Sequence, residues 1–408
     1  MAEIRPFQGI VYRSREKDLG AVLAPPYDVI TPSQRDALYE RDPHNIVRVV
    51  LNRTPGEAGY REAGETWARW RREGVVQADP QPALYLLEQR FAHNGRALRR
   101  LGVLARFRAE DPERRIILPH EHTRAAAKED RWRVLEATKA NFSPIFLMFP
   151  DAGRLAALAA EVVSRPAALG FTDDAEVEHR LWRVTEPAAI AGFESLLGGV
   201  PAYIADGHHR HATALRYRDA NGPDGAWTLG YFTPLDAAGL LVLPYHRILS
   251  EGPSVEEASR TLRQRFRVSP REGAAAAAAS AAQSRAPYAF ALAEPGGAAV
   301  LVEGEAAVGS LLPPGAAESL RALDTYFLHH AVLGPLLGVP DAAVSYVHSQ
   351  AEAEEALAGR RCRLAVLLRP TPVGQIVAVA EAGESMPAKS TFFHPKLPSG
   401  LVIHPLAL

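Results

Sequence analysis

The chain has 408 residues, 47% hydrophobic and 23% charged, with a formal net charge of -1. That balance excludes disorder through the bulk of the chain and argues against a protein held to nucleic acid by a basic face. A single cysteine, Cys362, excludes an internal disulfide framework and any multi-cysteine metal site. No apolar run reaches the roughly 18 residues of a membrane span. The opening MAEIRPFQGIVY carries charges where a signal peptide needs its apolar stretch, so the sequence reads as soluble and cytoplasmic. Arg outnumbers Lys 41 to 5. Against that bias a retained Lys marks a place where a compact ammonium differs from a planar guanidinium. The five are Lys17, Lys128, Lys139, Lys389 and Lys396.

In chain order, the Pro-rich start ends in Ala24-Pro25-Pro26-Tyr27-Asp28-Val29-Ile30. A helix is expected next, with Thr31 as N-cap, Pro32 at the first helical position and Gln34 closing a capping box. Residues 57–73 read as a helix with Tyr60, Trp67 and Trp70 near one face. Strands over 83–91 and 96–107 flank Asn94-Gly95, a strong hairpin signal. The apolar Ile116-Ile117-Leu118 leads into a polar segment, a helix near 124–139 and an apolar strand over 144–149. From about residue 166 strands and helices alternate, with strands at 202–205, 227–232 and 240–243. The Ala-rich tract at 273–286 favours a helix or linker, and two more helices are expected near 317–333 and 350–360. Hairpins and crossovers occur together, so the class is α+β, with mixed sheets and helices. Three regions are expected: 1–165, 166–270 and 271–408.

The most informative segment is Ile204-Ala205-Asp206-Gly207-His208-His209-Arg210-His211. A strand, a glycine turn and a helix start bring unsatisfied N–H groups, imidazoles and a guanidinium to one helix N-terminus, which suits phosphate or carboxylate. Arg210 can fork onto phosphate oxygens, while Asp206 reads as a magnesium ligand, a base or a helix cap. The three histidines could instead bind a metal, or belong to a polar surface turn. Pro119-His120-Glu121-His122-Thr123 follows a strand, where catalytic acids and bases are often carried. It reads equally as an ordinary polar loop. Two weaker segments are Pro244-Tyr245-His246-Arg247 and the stretch from Met386 to Lys396. The latter is read either as an anion-binding lid or as a tail anchored by Phe392 and Phe393. No P-loop, Rossmann fingerprint or GxSxG elbow occurs.

Arg5-Pro6-Phe7-Gln8-Gly9, the 24–30 and 119–123 segments, Ile204 through Arg210, His246-Arg247 and Lys389 through Lys396 recur in this order in the DUF1015 family. The chain resembles that family, whose function is unknown, from about residue 5 to 404. The Asp206–Arg210 turn is also similar to the nucleotide-binding turn of the ParB/sulfiredoxin superfamily, which includes a free-serine kinase branch. This likeness implies that Gly207, His208, His209 and Arg210 hold nucleotide phosphates. The serine-kinase branch implies a carboxylate base, for which Glu121 is the candidate, and the DUF1015 resemblance, through its likeness in occurrence to serine-biosynthesis proteins, implies serine or phosphoserine as substrate.

The reading that follows is a nucleotide-dependent phosphotransferase, of kinase or phosphatase type, acting on a small hydroxy metabolite. Phosphoryl transfer needs mainly phosphate clamps, a metal and an oriented nucleophile. Glu121, His120, Asp206 and Lys389 are the catalytic candidates. Gly207, His208, His209, Arg210, His246, Arg247 and Lys396 are the candidates for nucleotide phosphates. The cofactor would be a nucleoside di- or triphosphate with Mg2+ held by Asp206. The 119–123 and 206–210 segments are expected to line one cleft. Two alternatives are a His/Glu/Asp metal-dependent hydrolase and a non-enzymatic ParB-like nucleotide-binding module. The expected partner is a small molecule, without nucleic acid or membrane, and a homodimer is compatible with the sequence.

Overall fold

A computed structural model describes residues 2–13 and 18–406; Lys17 lies outside the described residues. The protein is α+β and forms two compact units. The first comprises Met1–Pro119, Thr123–Leu241 and Pro395–Leu408; the second comprises His120–His122 and Val242–His394. The division therefore falls at 241/242, with a late return at 395, and not at 165 and 270. Strands from the two regions expected to be separate, 1–165 and 166–270, share one hydrogen-bonded sheet.

That sheet builds the first unit. Its strand order is Ile117–Leu118, Ala202–Asp206, Ile145–Phe149, Trp227–Pro234, Arg96–Arg108, Leu84–His93, Glu178–Val184 and Leu169–Thr172, with Ile4–Arg5 also pairing along Arg96–Arg108. Most pairs are antiparallel, but Ala202–Asp206 runs parallel to Ile117–Leu118 and Trp227–Pro234 runs parallel to Ile145–Phe149. The Asn94-Gly95 hairpin forms as expected, and its register sets Gln89 opposite Arg100. Apolar side chains from these strands, including Leu86, Val103, Phe107, Leu147 and Ile204, pack with Phe193, Leu196 and Leu197 into one core. The capping box at Thr31 is present, with Gln34 N–H donating to Thr31 Oγ1 and Gln34 Oε1 accepting from Thr31 N–H. The 57–73 helix spans Gly56–Arg72 and buries Trp67 and Trp70.

The second unit carries a six-stranded antiparallel sheet in the order Arg267–Glu272, Ala298–Gly304, Tyr288–Ala293, Leu364–Leu368, His246–Leu249 and Val344–Val347. The Ala-rich tract is the helix Gly273–Gln283, which lays Ala277 and Ala281 on this sheet. On the opposite core, Phe290, Leu292 and Val366 pack against Phe327, Leu328 and Val332. The helix expected over 317–333 is broken into Glu318–Arg321, Asp324–Phe327 and a π-helical run Leu328–Leu333. Among the described residues, no helix is long and apolar enough to cross a membrane.

Candidate functional site

In the first unit the Ala202–Asp206 strand pairs with Ile145–Phe149, but its register slips by one residue between Ile204 and Asp206. The extra residue, Ala205, re-aims the strand end, as bulges beside binding sites do. Gly207 follows with φ +97°, and the helix His208–Asn221 starts at once. Its N-cap is Gly207, which makes no side-chain cap hydrogen bond to the first turn.

Asp206 lies beside that helix start with a 15% exposed side chain. One of its oxygens, Oδ1, accepts from Lys396 Nζ at 2.6 Å, and Oδ2 accepts from Arg210 Nη2 at 2.5 Å. Burial alone would raise its pKa. The Lys396 ammonium and the Arg210 guanidinium outweigh that and hold the carboxyl well below the usual carboxylate range. One carboxylate thus carries two cations, leaving a net positive charge at a helix N-terminus.

This arrangement changes one expectation for Asp206. It does not fit a magnesium ligand, because both oxygens are engaged by cations that Mg2+ would have to displace. Among the described residues, no cluster of three or more His, Cys, Asp or Glu could hold a metal ion. His209 is half-buried and its Nε2 accepts the Arg124 N–H at 3.0 Å; burial, then Arg124, lowers its pKa. His211 is buried and held neutral, its pKa pushed down to about 4 by burial. His208 is 4% exposed.

Arg210 also donates to the Pro144 carbonyl, so its guanidinium lies folded back over the turn. A Cβ on Gly207 would sit 3.0 Å from Arg210 Cζ, Nε and Nη2. Gly207→Ala is therefore expected to cost about 1–3 kcal/mol from the left-handed backbone and to push Arg210 off Asp206. Phosphate affinity should fall with stability, and calorimetry paired with thermal melting checks both; unchanged affinity would separate Arg210 from the anion.

Lys396 is fixed from behind. Gln89 and Arg100 are both buried, and Arg100 Nε donates to Gln89 Oε1 at 3.1 Å. Arg100 Nη2 then donates to the Pro395 carbonyl, and Gln89 Nε2 to the Lys396 carbonyl at 3.1 Å. The hairpin thus clamps the backbone on either side of Lys396. Tyr27 from the 24–30 segment lies under Arg131, whose Cζ is 3.7 Å from the ring centroid. A cavity of about 60 Å3 is lined by Tyr27, Arg131, Phe142, Ser143, Arg210 and Thr213. Sequence reading assigned no role to Gln89, Arg100, Tyr27 or Arg131. The hairpin register was a usable signal for the first pair; nothing distinguished Arg131 from its neighbours on a helix.

The remaining candidates belong to the second unit. Glu121 forms a parallel bridge with Met386, whose N–H donates to the His120 carbonyl at 2.8 Å. Lys389 is half-buried, with Nζ 3.5 Å from the Tyr245 hydroxyl and 5.0 Å from its ring centroid. The segment before residue 395 is packed and pinned, unlike a mobile lid. Ser390 Oγ donates to the Pro387 carbonyl and lies 3.1 Å from Thr325 Oγ1, and Phe392 and Phe393 are buried. Both His246 and Arg247 are buried in the His246–Leu249 strand.

The fold and the glycine-started helix define a two-unit α+β protein with a cationic turn at a helix N-terminus. The chain belongs to the DUF1015 family, "Protein of unknown function", whose model matches residues 4–326. No curated protein matches it. Among solved structures it is similar to a free serine kinase in complex with AMP, at 14% identity and a TM-score of 0.35, covering 74% of this chain and 92% of that one. A conserved hypothetical protein from Pyrococcus furiosus is similar at 14% identity and TM-score 0.36, covering 73% and 93%. SbnI with a C-terminal truncation, from Staphylococcus aureus, is similar at 12% and 0.34, covering 71% and 84%. TM-scores of this size assign no role to any residue here.

Proposed function

We propose that the Asp206–Arg210 turn of the first unit, with Lys396, is the phosphate-binding element of a nucleotide-dependent phosphotransferase acting on a small hydroxy metabolite such as serine. The observation that carries this reading is the uncapped helix start with two cations set on one carboxylate. Backbone N–H groups at a helix N-terminus receive oxyanions, and the helix dipole adds to the attraction. Lys396 and Arg210 supply charge, and Asp206 keeps them at a fixed spacing so that little reorganisation accompanies binding. The hydroxyl's proton needs a base outside this cluster: His209 already accepts a backbone N–H and His211 is buried. Glu121, the base expected from sequence, stands on the second unit, and the phosphate-binding reading does not depend on it.

The test is calorimetric titration of ATP, ADP and inorganic phosphate, with and without Mg2+, followed by mass-spectrometric detection of phosphoserine from serine. Lys396→Met should weaken nucleotide binding by roughly tenfold to a hundredfold, the worth of one charge-assisted contact. Nucleotide affinity equal in the variant and the unaltered protein, or absent in both, overturns the proposal.

A further inference from the structure

We propose that the second unit holds a binding site of its own for a small oxyanion, a phosphate or carboxylate group, at the buried end of Arg247. Arg247 lies in the His246–Leu249 strand, between Val344–Val347 at the sheet edge and Leu364–Leu368 inside. All four residues of that strand are buried, and Arg247 is 0% exposed. A buried guanidinium ordinarily meets a carboxylate, because an uncompensated charge in a protein interior costs several kcal/mol. Here none does among the described residues. The Nε–H donates to His329 Nε2 at 3.2 Å, and Nη1 donates to the Tyr245 carbonyl at 2.6 Å. Both acceptors are neutral, since burial, then Arg247, pushes the His329 pKa down to about 4. Nη2 is buried with no hydrogen-bond partner.

Of the five N–H donors of a guanidinium, two are used, and both on Nη2 are among those that remain. A carboxylate or phosphate oxygen is the charged acceptor that suits them. Tyr346 faces Arg247 in register and places its ring centroid 5.3 Å from Cζ. His329 comes from the π-helical run Leu328–Leu333, a helix distortion that recurs at binding sites. Both Tyr346 and His329 are partly exposed. Burial lowers the Arg247 pKa to about 10, which still leaves it a cation at neutral pH. On the other side of the strand, His246 is spent structurally, accepting the Leu368 N–H at 3.2 Å.

The experiment is a thermal-shift titration with sodium phosphate and, separately, sodium formate at constant ionic strength. It is run on the full chain carrying Lys396→Met, which disables the first unit's turn, and on that chain with Arg247→Met added. Expected is a rise that grows with the logarithm of concentration and reaches roughly 5 °C at a hundredfold excess over Kd, surviving Lys396→Met and lost with Arg247→Met. The arm whose rise sets in at lower concentration tells phosphate from carboxylate. A rise that vanishes with Lys396→Met alone, or persists without Arg247, overturns this site while leaving the first unit's reading in place. Should Arg247→Met fail to fold, crystals of the unaltered protein soaked in selenate decide. An anomalous peak within hydrogen-bond reach of Arg247 Nη2 supports the site, and its absence refutes it.

Discussion

Asp206→Asn is expected to lower the stability of the protein by about 2–4 kcal/mol, because it removes the shared partner of two largely buried cations. Lys396 and Arg210 side chains are only 15% and 13% exposed, so water replaces little of the lost attraction. An amide can still accept a hydrogen bond but offers no counter-charge, and it leaves two positive groups facing each other. The same pair predicts an acid signature. The folded carboxyl titrates below its unfolded value of about 3.9. Its stabilisation is therefore complete above that value and is lost as pH falls through the folded pKa. Chemical denaturation of the two proteins from pH 7 to pH 2 checks this. The gap between them should be widest at neutral pH and close as the solution becomes acid. A gap independent of pH would mean that Asp206 acts through packing and not through charge.

Arg100→Met is expected to cost a similar amount, roughly 2–4 kcal/mol, by leaving the buried Gln89 carbonyl and the Pro395 carbonyl without their charged donor. Methionine keeps much of the apolar stem against the Phe146 ring, which the guanidinium now covers at 4.6 Å, so the loss reports the hydrogen bonds. The change should also reach Lys396, whose backbone the same pair holds. Adding Lys396→Met to Arg100→Met should cost less than the sum of the two separately, since contacting residues are not additive. A double-mutant cycle by denaturant titration, with phosphate affinity measured in parallel, tests this. Full additivity would show that the clamp and the ammonium are independent.

Much of this site was written locally. The run Asp206-Gly207-His208-His209-Arg210 announces a strand, a glycine turn and a helix start, and all three form. A two-residue turn at Asn94-Gly95 dictates that Gln89 faces Arg100, so their partnership was readable from the hairpin alone. Their burial was not, because it depends on a segment almost 300 residues later whose carbonyls they receive. Asp206 was misassigned to a metal for the same reason. Its partner Arg210 lies one helical turn away and could be foreseen, whereas Lys396 comes from a distant part of the chain. The lysine scarcity singled out Lys396 but gave no hint that it would meet Asp206. Domain limits were misplaced because strand–helix alternation changes character near residue 166 while the sheet itself continues. At Arg247 the sequence offered a polar pair after an apolar run, and only the fold reveals that one member is a charge without a counter-charge among the described residues.

The first unit is spelled out in the chain on both sides of the second, and its Pro395–Leu408 piece follows the whole of Val242–His394. The carboxylate of Asp206 precedes its ammonium partner by 190 positions. At a synthesis rate of about 5–20 residues per second, the wait between them is roughly 10 to 40 seconds. Throughout that interval the turn has one cation instead of two, and the Gln89–Arg100 clamp has nothing to close on. The older half of the molecule is therefore the last to be finished, and its charge balance is set only after the intervening unit has been made.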